Sequence, residues 1–160
     1  MSIPTSSIPA ARGYLLSQIQ AALTQDPNDP TAELLISLDE PGTHEPADIV
    51  WIGDVHQTYS PHATVGSGGA EWLREDYSIE ITISVVRSGD DGTTALAQTV
   101  FTRARLLADQ IVNVVRSDPS LGGAVDRAKP ASATHTSSWT ENGMGRETEI
   151  QLSIDCMFVL

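Results

Sequence analysis

The segment from Asp76 to Val85 constrains the fold of this chain most. Tyr77, Ile79, Ile81, Ile83 and Val85 alternate with Asp76, Ser78, Glu80, Thr82 and Ser84. Successive side chains of a strand point to opposite faces, so this stretch, read as a strand over Trp72–Val86, demands a sheet with one buried and one polar side. The cover for the buried side follows directly. Wound at about 100° per residue, Leu96, Val100, Phe101, Ala104, Leu107, Ala108, Ile111, Val114 and Val115 form one broad apolar stripe on a helix of about Ala95–Ser117. Gln98, Arg105, Asp109 and Arg116 lie opposite, and Thr93 or Thr94 is placed to cap the helix.

The rest of the chain supplies matching parts. Leu15, Ile19 and Leu23 recur at helical spacing within Ile8–Thr24, with Ser6 or Ser7 as cap and the Asp26–Pro30 segment as terminator. Glu33–Leu38 and Ile49–His56 read as the two strands of a hairpin, joined by the turn-rich segment Asp39–Pro46. Ile49, Trp51 and Val55 fall on one side of the second strand, and Gly53 interrupts that row as a bulge or a close backbone approach would. Gln57–Ala70 reads as a long loop, the kind of segment that often carries function. After the turn at Asp118–Gly123, extended segments are expected at Ala124–Ala128 and Ala131–Thr140. A final strand at Arg146–Leu160 has Ile150, Leu152, Ile154, Cys156, Phe158 and Leu160 on one face. The order α-β-β-β-α-β-β implies an α+β fold: a mostly antiparallel sheet with two helices packed on one side, as a single domain over residues 1–160. At this size the core needs neither disulfide nor structural metal.

Charge narrows the function classes. The chain carries 21 acids against 9 bases, a formal −12, and Lys129 is its single lysine. Residues 1–80 hold twelve acids and two arginines, net −10, and residues 81–160 nine acids and seven bases, net −2. An acidic surface repels DNA and anionic membranes, which argues against a dedicated nucleic-acid binder. No basic segment followed by an apolar run opens the sequence and no stretch has the length of a membrane span, so we expect residence in a cytoplasm, at least at first.

No constellation in the sequence supports catalysis. His44, His56, His62 and His135 are scattered, and Cys156 sits in the apolar row of the last strand, so neither a zinc site nor a reactive thiol is expected. Gly66-Ser67-Gly68-Gly69 leads into a strand, not a helix, and no lysine follows it, unlike a phosphate-binding loop. Asp90-Asp91-Gly92-Thr93 lacks the remaining ligands of a calcium loop. Glu75 and Asp76 are adjacent in a strand and point to opposite faces, so they cannot act on one substrate as acid and base. The chain is expected to be no enzyme and to need no cofactor or metal.

Three strings and their order carry a resemblance. Ile49-Val50-Trp51-Ile52-Gly53-Asp54-Val55 lies in a hairpin, Arg74-Glu75-Asp76-Tyr77-Ser78-Ile79 opens a strand, and Asp118-Pro119-Ser120-Leu121-Gly122-Gly123-Ala124-Val125 ends the long helix. With an N-terminal helix before and a closing strand after, the chain resembles the tail terminator proteins of long-tailed bacteriophages over nearly its whole length. The resemblance implies a homo-oligomeric ring, usually hexameric, at the head-proximal end of the tail tube. Such a ring ends tube polymerisation, meets the head–tail connector protein, and lets DNA pass without binding it. The location implied is the neck or tail of a virion, after assembly in the host cytoplasm.

Two sets of residues fit that picture. Tyr59, His62, Val65 and Trp72, in and beside the 57–71 segment, are candidate contacts to a neighbouring subunit or partner, Trp72 being equally suited to the core. Asp39, Glu40, Glu45, Asp48 and Asp54 are candidate lumen-facing acids. Another neck or connector subunit fits almost as well. A different class of reading is a small-ligand-binding α+β domain with Tyr59–Gly69 as a lid.

Overall fold

The computed structural model describes residues 5–43, 45–63, 72–89, 94–140 and 143–160, and the side chains of all of these except 61–63 and 72. Its elements run α1 (Ile8–Ala22), β1 (Leu34–Leu38), β2 (Asp48–Ala63), β3 (Trp72–Ser88), α2 (Ala95–Ser117), β4 (Arg127–Trp139) and β5 (Gly145–Val159). The strands form one sheet in the order β1-β2-β3-β5-β4. The α+β fold expected from the sequence is the one observed, antiparallel except at one edge.

The alternating row of β3 sits at the centre of the sheet and of the core. Ile79, Ile81, Ile83 and Val85 are fully buried and pair with Ile154, Leu152, Ile150 and Thr148 of β5, so both apolar rows share one face. Val100, Ala104, Leu107, Ala108, Ile111 and Val115 of α2, and Ala11, Leu15 and Ile19 of α1, are buried in the same cluster. Each such aliphatic side chain contributes roughly 1.5–3 kcal/mol on removal from water. Cys156 is buried there too, and burial, with the Asp155 charge adding to it, pushes its thiol up to about 12.

Four expectations are corrected. β1 does not form a hairpin with β2; it runs parallel to it, Leu34 beside Asp48 and Leu38 beside Ile52. A parallel return usually takes a dozen or more residues, but β1 has only five, so roughly 17 Å must be retraced and Asp39–Ala47 suffices. Second, Ile49, Trp51 and Val55 do not share one side of β2: Val50 and Ile52 are the fully buried pair on the core face, and Ile49 and Trp51 lie on the opposite one. The bulge expected near Gly53 is present: Ile52 pairs with Ile81 and Val55 with Ile79. One extra residue inverts the alternation and brings Val55 onto the core side. Third, residues 57–63 are not loop, because β2 continues through them against β3, Gln57 beside Tyr77 and Pro61 beside Leu73. The remainder of that expected segment, residues 64–70, lies outside the described residues. Fourth, Arg103 lies buried within the stripe of α2, while Phe101 is exposed at its edge against the ring of His135.

The string ending α2 is a turn built on one carboxylate. Asp118 accepts hydrogen bonds from the Ser120 hydroxyl (2.6 Å), the Ser120 and Gly122 amides (3.1 and 2.9 Å) and the Tyr14 hydroxyl (3.3 Å). The Ser120 hydroxyl first, then these amides and Tyr14, hold the Asp118 carboxyl below its ordinary value against a smaller opposing effect of burial. Gly122 has φ +69°, and a Cβ there would stand 2.7 Å from the Tyr14 ring. Glycine is therefore required both for backbone conformation and for the close approach of α1.

Candidate assembly surface

The core row of β3 ends in a buried charge at each extremity. At one end Glu75, fully buried, accepts four hydrogen bonds: from the Ser7 hydroxyl (2.6 Å), the Ser7 amide (2.7 Å), the Ser6 hydroxyl (2.9 Å) and Gln57 Nε2 (2.6 Å). Ser7 occupies the N-cap position of α1, yet its hydroxyl caps nothing locally. It serves Glu75 and also meets the Tyr77 hydroxyl at 2.8 Å. The Glu75 side chain thus sits at the N-terminus of α1 and meets the Ser7 amide and hydroxyl directly. Tyr77 is held well above its usual value, chiefly by burial.

At the other end lies Asp48, one of the acids expected to face a lumen. It does not: its exposure is 0%. Asp48 Oδ1 accepts from Arg87 Nη1 at 2.6 Å, and Oδ2 from Arg103 Nε at 3.1 Å and Arg87 Nη2 at 3.2 Å. Arg87 also donates to Asp26 at 2.9 Å, and Arg103 to the Thr24 carbonyl at 2.7 Å. Burial pushes the Asp26 carboxyl up, but the Arg87 hydrogen bond, the Asn28 amide and the two guanidinium charges outweigh it and hold it below its ordinary value. The physical reason for the correction is parity. Asp48 shares the core face with Val50 and Ile52, so it must be paired inside, and two arginines converge on it.

The sheet face away from the helices carries no covering element among the described residues. Asp76, Ser78, Glu80, Thr82 and Ser84 line it, as the β3 alternation requires, beside Asp155, Ser153, Gln151 and Glu149 of β5. Two depressions mark it. One, of about 510 Å³, is lined by His56, Thr58, Asp76, Arg127, Lys129 and Asp155 and mixes both signs of charge. The other, of about 870 Å³, is lined by Glu40, Glu45, Trp51, Ser84, Glu147 and Glu149 and is acidic. Glu40 and Glu45 reach it because the β1–β2 connection borders this face. Glu147 and Glu149 were not singled out in the sequence, although Ile150 and Leu152 in the core dictate that the alternate residues face outward.

The other expected positions are dispersed. Asp39, at φ 61°, is exposed at the end of β1 and pairs with Arg12 at 2.8 Å. Asp54 is exposed in the bulge of β2. Tyr59 is 59% exposed and stands beside Glu75 on the helix-side row of β2, beyond the core. His62 lies in β2 and Trp72 opens β3 opposite Ala63, with side chains outside the description. Val65, His44 and the Gly66–Gly69 segment lie outside the described residues. Among the described residues, no three His, Cys, Asp or Glu side chains gather so as to hold a metal ion, and no helix is long and apolar enough to cross a membrane.

No protein-family model matches the chain, and no curated protein matches it. Among solved structures, a chain of one described as the virion of a native gene transfer agent particle is similar to it with a TM-score of 0.37. The two are 12% identical, over 92% of this chain and 98% of the other.

Proposed function

We propose that this chain is a ring-forming structural subunit of a phage-like virion, a tail terminator that caps the head-proximal end of the tail tube and joins it to the head connector. It performs no catalysis and takes no cofactor. The observation that carries this reading is that two of the three strings behind the resemblance are fixed points of the fold. Glu75 and Tyr77 tie α1 to β3, and Asp118–Gly123 seats Tyr14 of α1 against the end of α2. Segments that set the relative placement of both helices and the sheet are those a shared architecture retains.

The electrostatics fit a channel that DNA crosses without adhering. Glu40, Glu45, Glu147 and Glu149 concentrate negative charge at one end of the open sheet face. Repeated around a ring with that face inward, they repel phosphates at short range, within a Debye length of about 8 Å at physiological salt. Asp54 adds to the same sign; Asp39, paired with Arg12, and the buried Asp48 do not.

Deleting the gene from the genome that encodes it, followed by negative-stain imaging, tests the proposal. Over-long or headless tails are expected. Particles of normal tail length with heads attached overturn it.

A further inference from the structure

We propose that copies of this chain join edge to edge, the outer edge of β4 in one copy pairing antiparallel with the outer edge of β2 in the next. The inference rests on the ring reading only in requiring repeated self-association. The edges themselves prompt it. From Ala131 to Trp139, β4 is a sheet edge of nine residues, Ala-Ser-Ala-Thr-His-Thr-Ser-Ser-Trp, exposed along its whole length. It contains no Lys, Arg, Asp, Glu or Pro, the residues that ordinarily blunt an edge strand. At the opposite side of the sheet β1 covers β2 only as far as Ile52, so among the described residues Asp54–Ser60 form a second free edge. Among the described residues, no backbone group of 131–139 or 54–60 bonds to anything outside the β4–β5 and β2–β3 ladders.

Which groups point outward follows from the ladder bonds. The Thr140 amide donates to the Gly145 carbonyl, so in β4 the even-numbered residues bond inward and Ala133, His135 and Ser137 face out. The Val86 amide bonds Ala47 and the Leu160 amide bonds Leu73, so odd residues of β3 bond β5 and even ones bond β2. The β2 residues opposite the odd ones, Val55, Gln57 and Tyr59, therefore face out. Pro61 belongs to the same outward set, where its missing N–H removes no internal bond.

The two edges match in direction, face and length. Across β1-β2-β3-β5-β4 the strands β2 and β4 run opposite ways, so joining β4 to the next β2 continues an antiparallel sheet. The outward residues of both edges lie on the helix side, so placing His135 opposite Gln57 keeps the helices of successive copies on one side. That register seats 132–138 against 54–60 and stops where β1 ends, with no like charges opposed. Such a contact is heterologous, and it closes into a ring when the rotation per copy allows. Every copy then retains the same open face turned the same way.

Disulfide capture tests the register. His56 and Thr136 come opposite each other on the open face as a non-hydrogen-bonded pair, with Cα atoms about 4.5 Å apart, within disulfide reach. His56→Cys mixed with Thr136→Cys under mild oxidation is expected to give a covalent dimer, and the double variant a covalent ladder. Thr58→Cys with Thr134→Cys provides the same test two residues along. Ser137→Pro and Ala133→Pro, which block outward N–H groups only, are expected to raise the assembly concentration about tenfold in sedimentation velocity with unchanged melting. Rings that form, free or on tail tubes, without cross-linking in either pair overturn the edge contact and leave the ring reading standing. Self-cross-linking by Thr136→Cys alone shows a two-fold contact and overturns it as well. A chain that stays monomeric both free and with tail tubes overturns the ring reading itself.

Discussion

Replacing Asp48 by Asn isolates the energetics of the buried charges. The carboxylate is fully buried and takes three hydrogen bonds from Arg87 and Arg103, at 2.6, 3.1 and 3.2 Å. An amide presents one oxygen and one NH₂, so one guanidinium N–H loses its acceptor and a donor is turned against it. Removing one partner of a buried ion pair costs about 3–5 kcal/mol. Arg87 keeps Asp26, and Arg103 keeps the Thr24 carbonyl, so the low end, about 3 kcal/mol, is expected. For a chain of this size that lowers Tm by about 6–12 °C. The control is Asp39→Asn, whose ion pair with Arg12 has a carboxylate 74% exposed and is expected to contribute under about 1 kcal/mol. Urea denaturation followed by circular dichroism measures both from the shift in midpoint at constant slope. Equal losses for the two variants would refute the reasoning, since they would mean that Asp48 is solvated like Asp39.

Three further outcomes follow from the core, the turn and the ionised groups. Leu107→Asp places a charge among fully buried side chains on α2 and is expected to abolish folding, read as loss of a cooperative melt; a soluble variant that melts cooperatively would contradict the packing of α2. Gly122→Ala must strain a φ of +69° and displace the Tyr14 ring; a loss of about 1–3 kcal/mol is expected in urea melts, and an unchanged midpoint would contradict the close approach. The Asp26 carboxyl is depressed in the folded state, so its stabilisation is present above its ordinary value of 3.8 and lost as pH falls through the folded one. Wild-type Tm should therefore fall more steeply below about pH 4 than that of Asp26→Asn, and parallel profiles would contradict the pairing with Arg87.

Periodicity made the centre of the fold legible and left its margins unreadable. The β3 row and the α2 stripe are long enough for only one face to be apolar, so core and order of elements follow. In β2, Ile49 and Trp51 compete with Val50 and Ile52 on opposite parities, and the sequence alone does not choose. The choice of face decides whether Asp48, of the same parity as Val50 and Ile52, lies in the core or at the surface. The informative signal was Arg103. It lies three residues after Val100 and four before Leu107, in the middle of the stripe, where a guanidinium must find a buried acid. The direction of β1 was hidden because a turn-rich connection suits a hairpin equally well. Tyr59, Ser60 and Pro61 favour a loop by composition, yet pairing with Glu75, Arg74 and Leu73 keeps them in a strand. The acidic open face was half legible, since Glu147 and Glu149 follow from the same alternation that buries Ile150 and Leu152.

Cryo-electron microscopy of the intact particle, with this chain located in the map, tests the central claim most directly. The account predicts a single closed ring between the last layer of tail tube and the head connector, with Glu40, Glu45, Glu147 and Glu149 on the channel side. Density for the chain in the capsid or at the distal tail tip, or its absence from the particle, would contradict it.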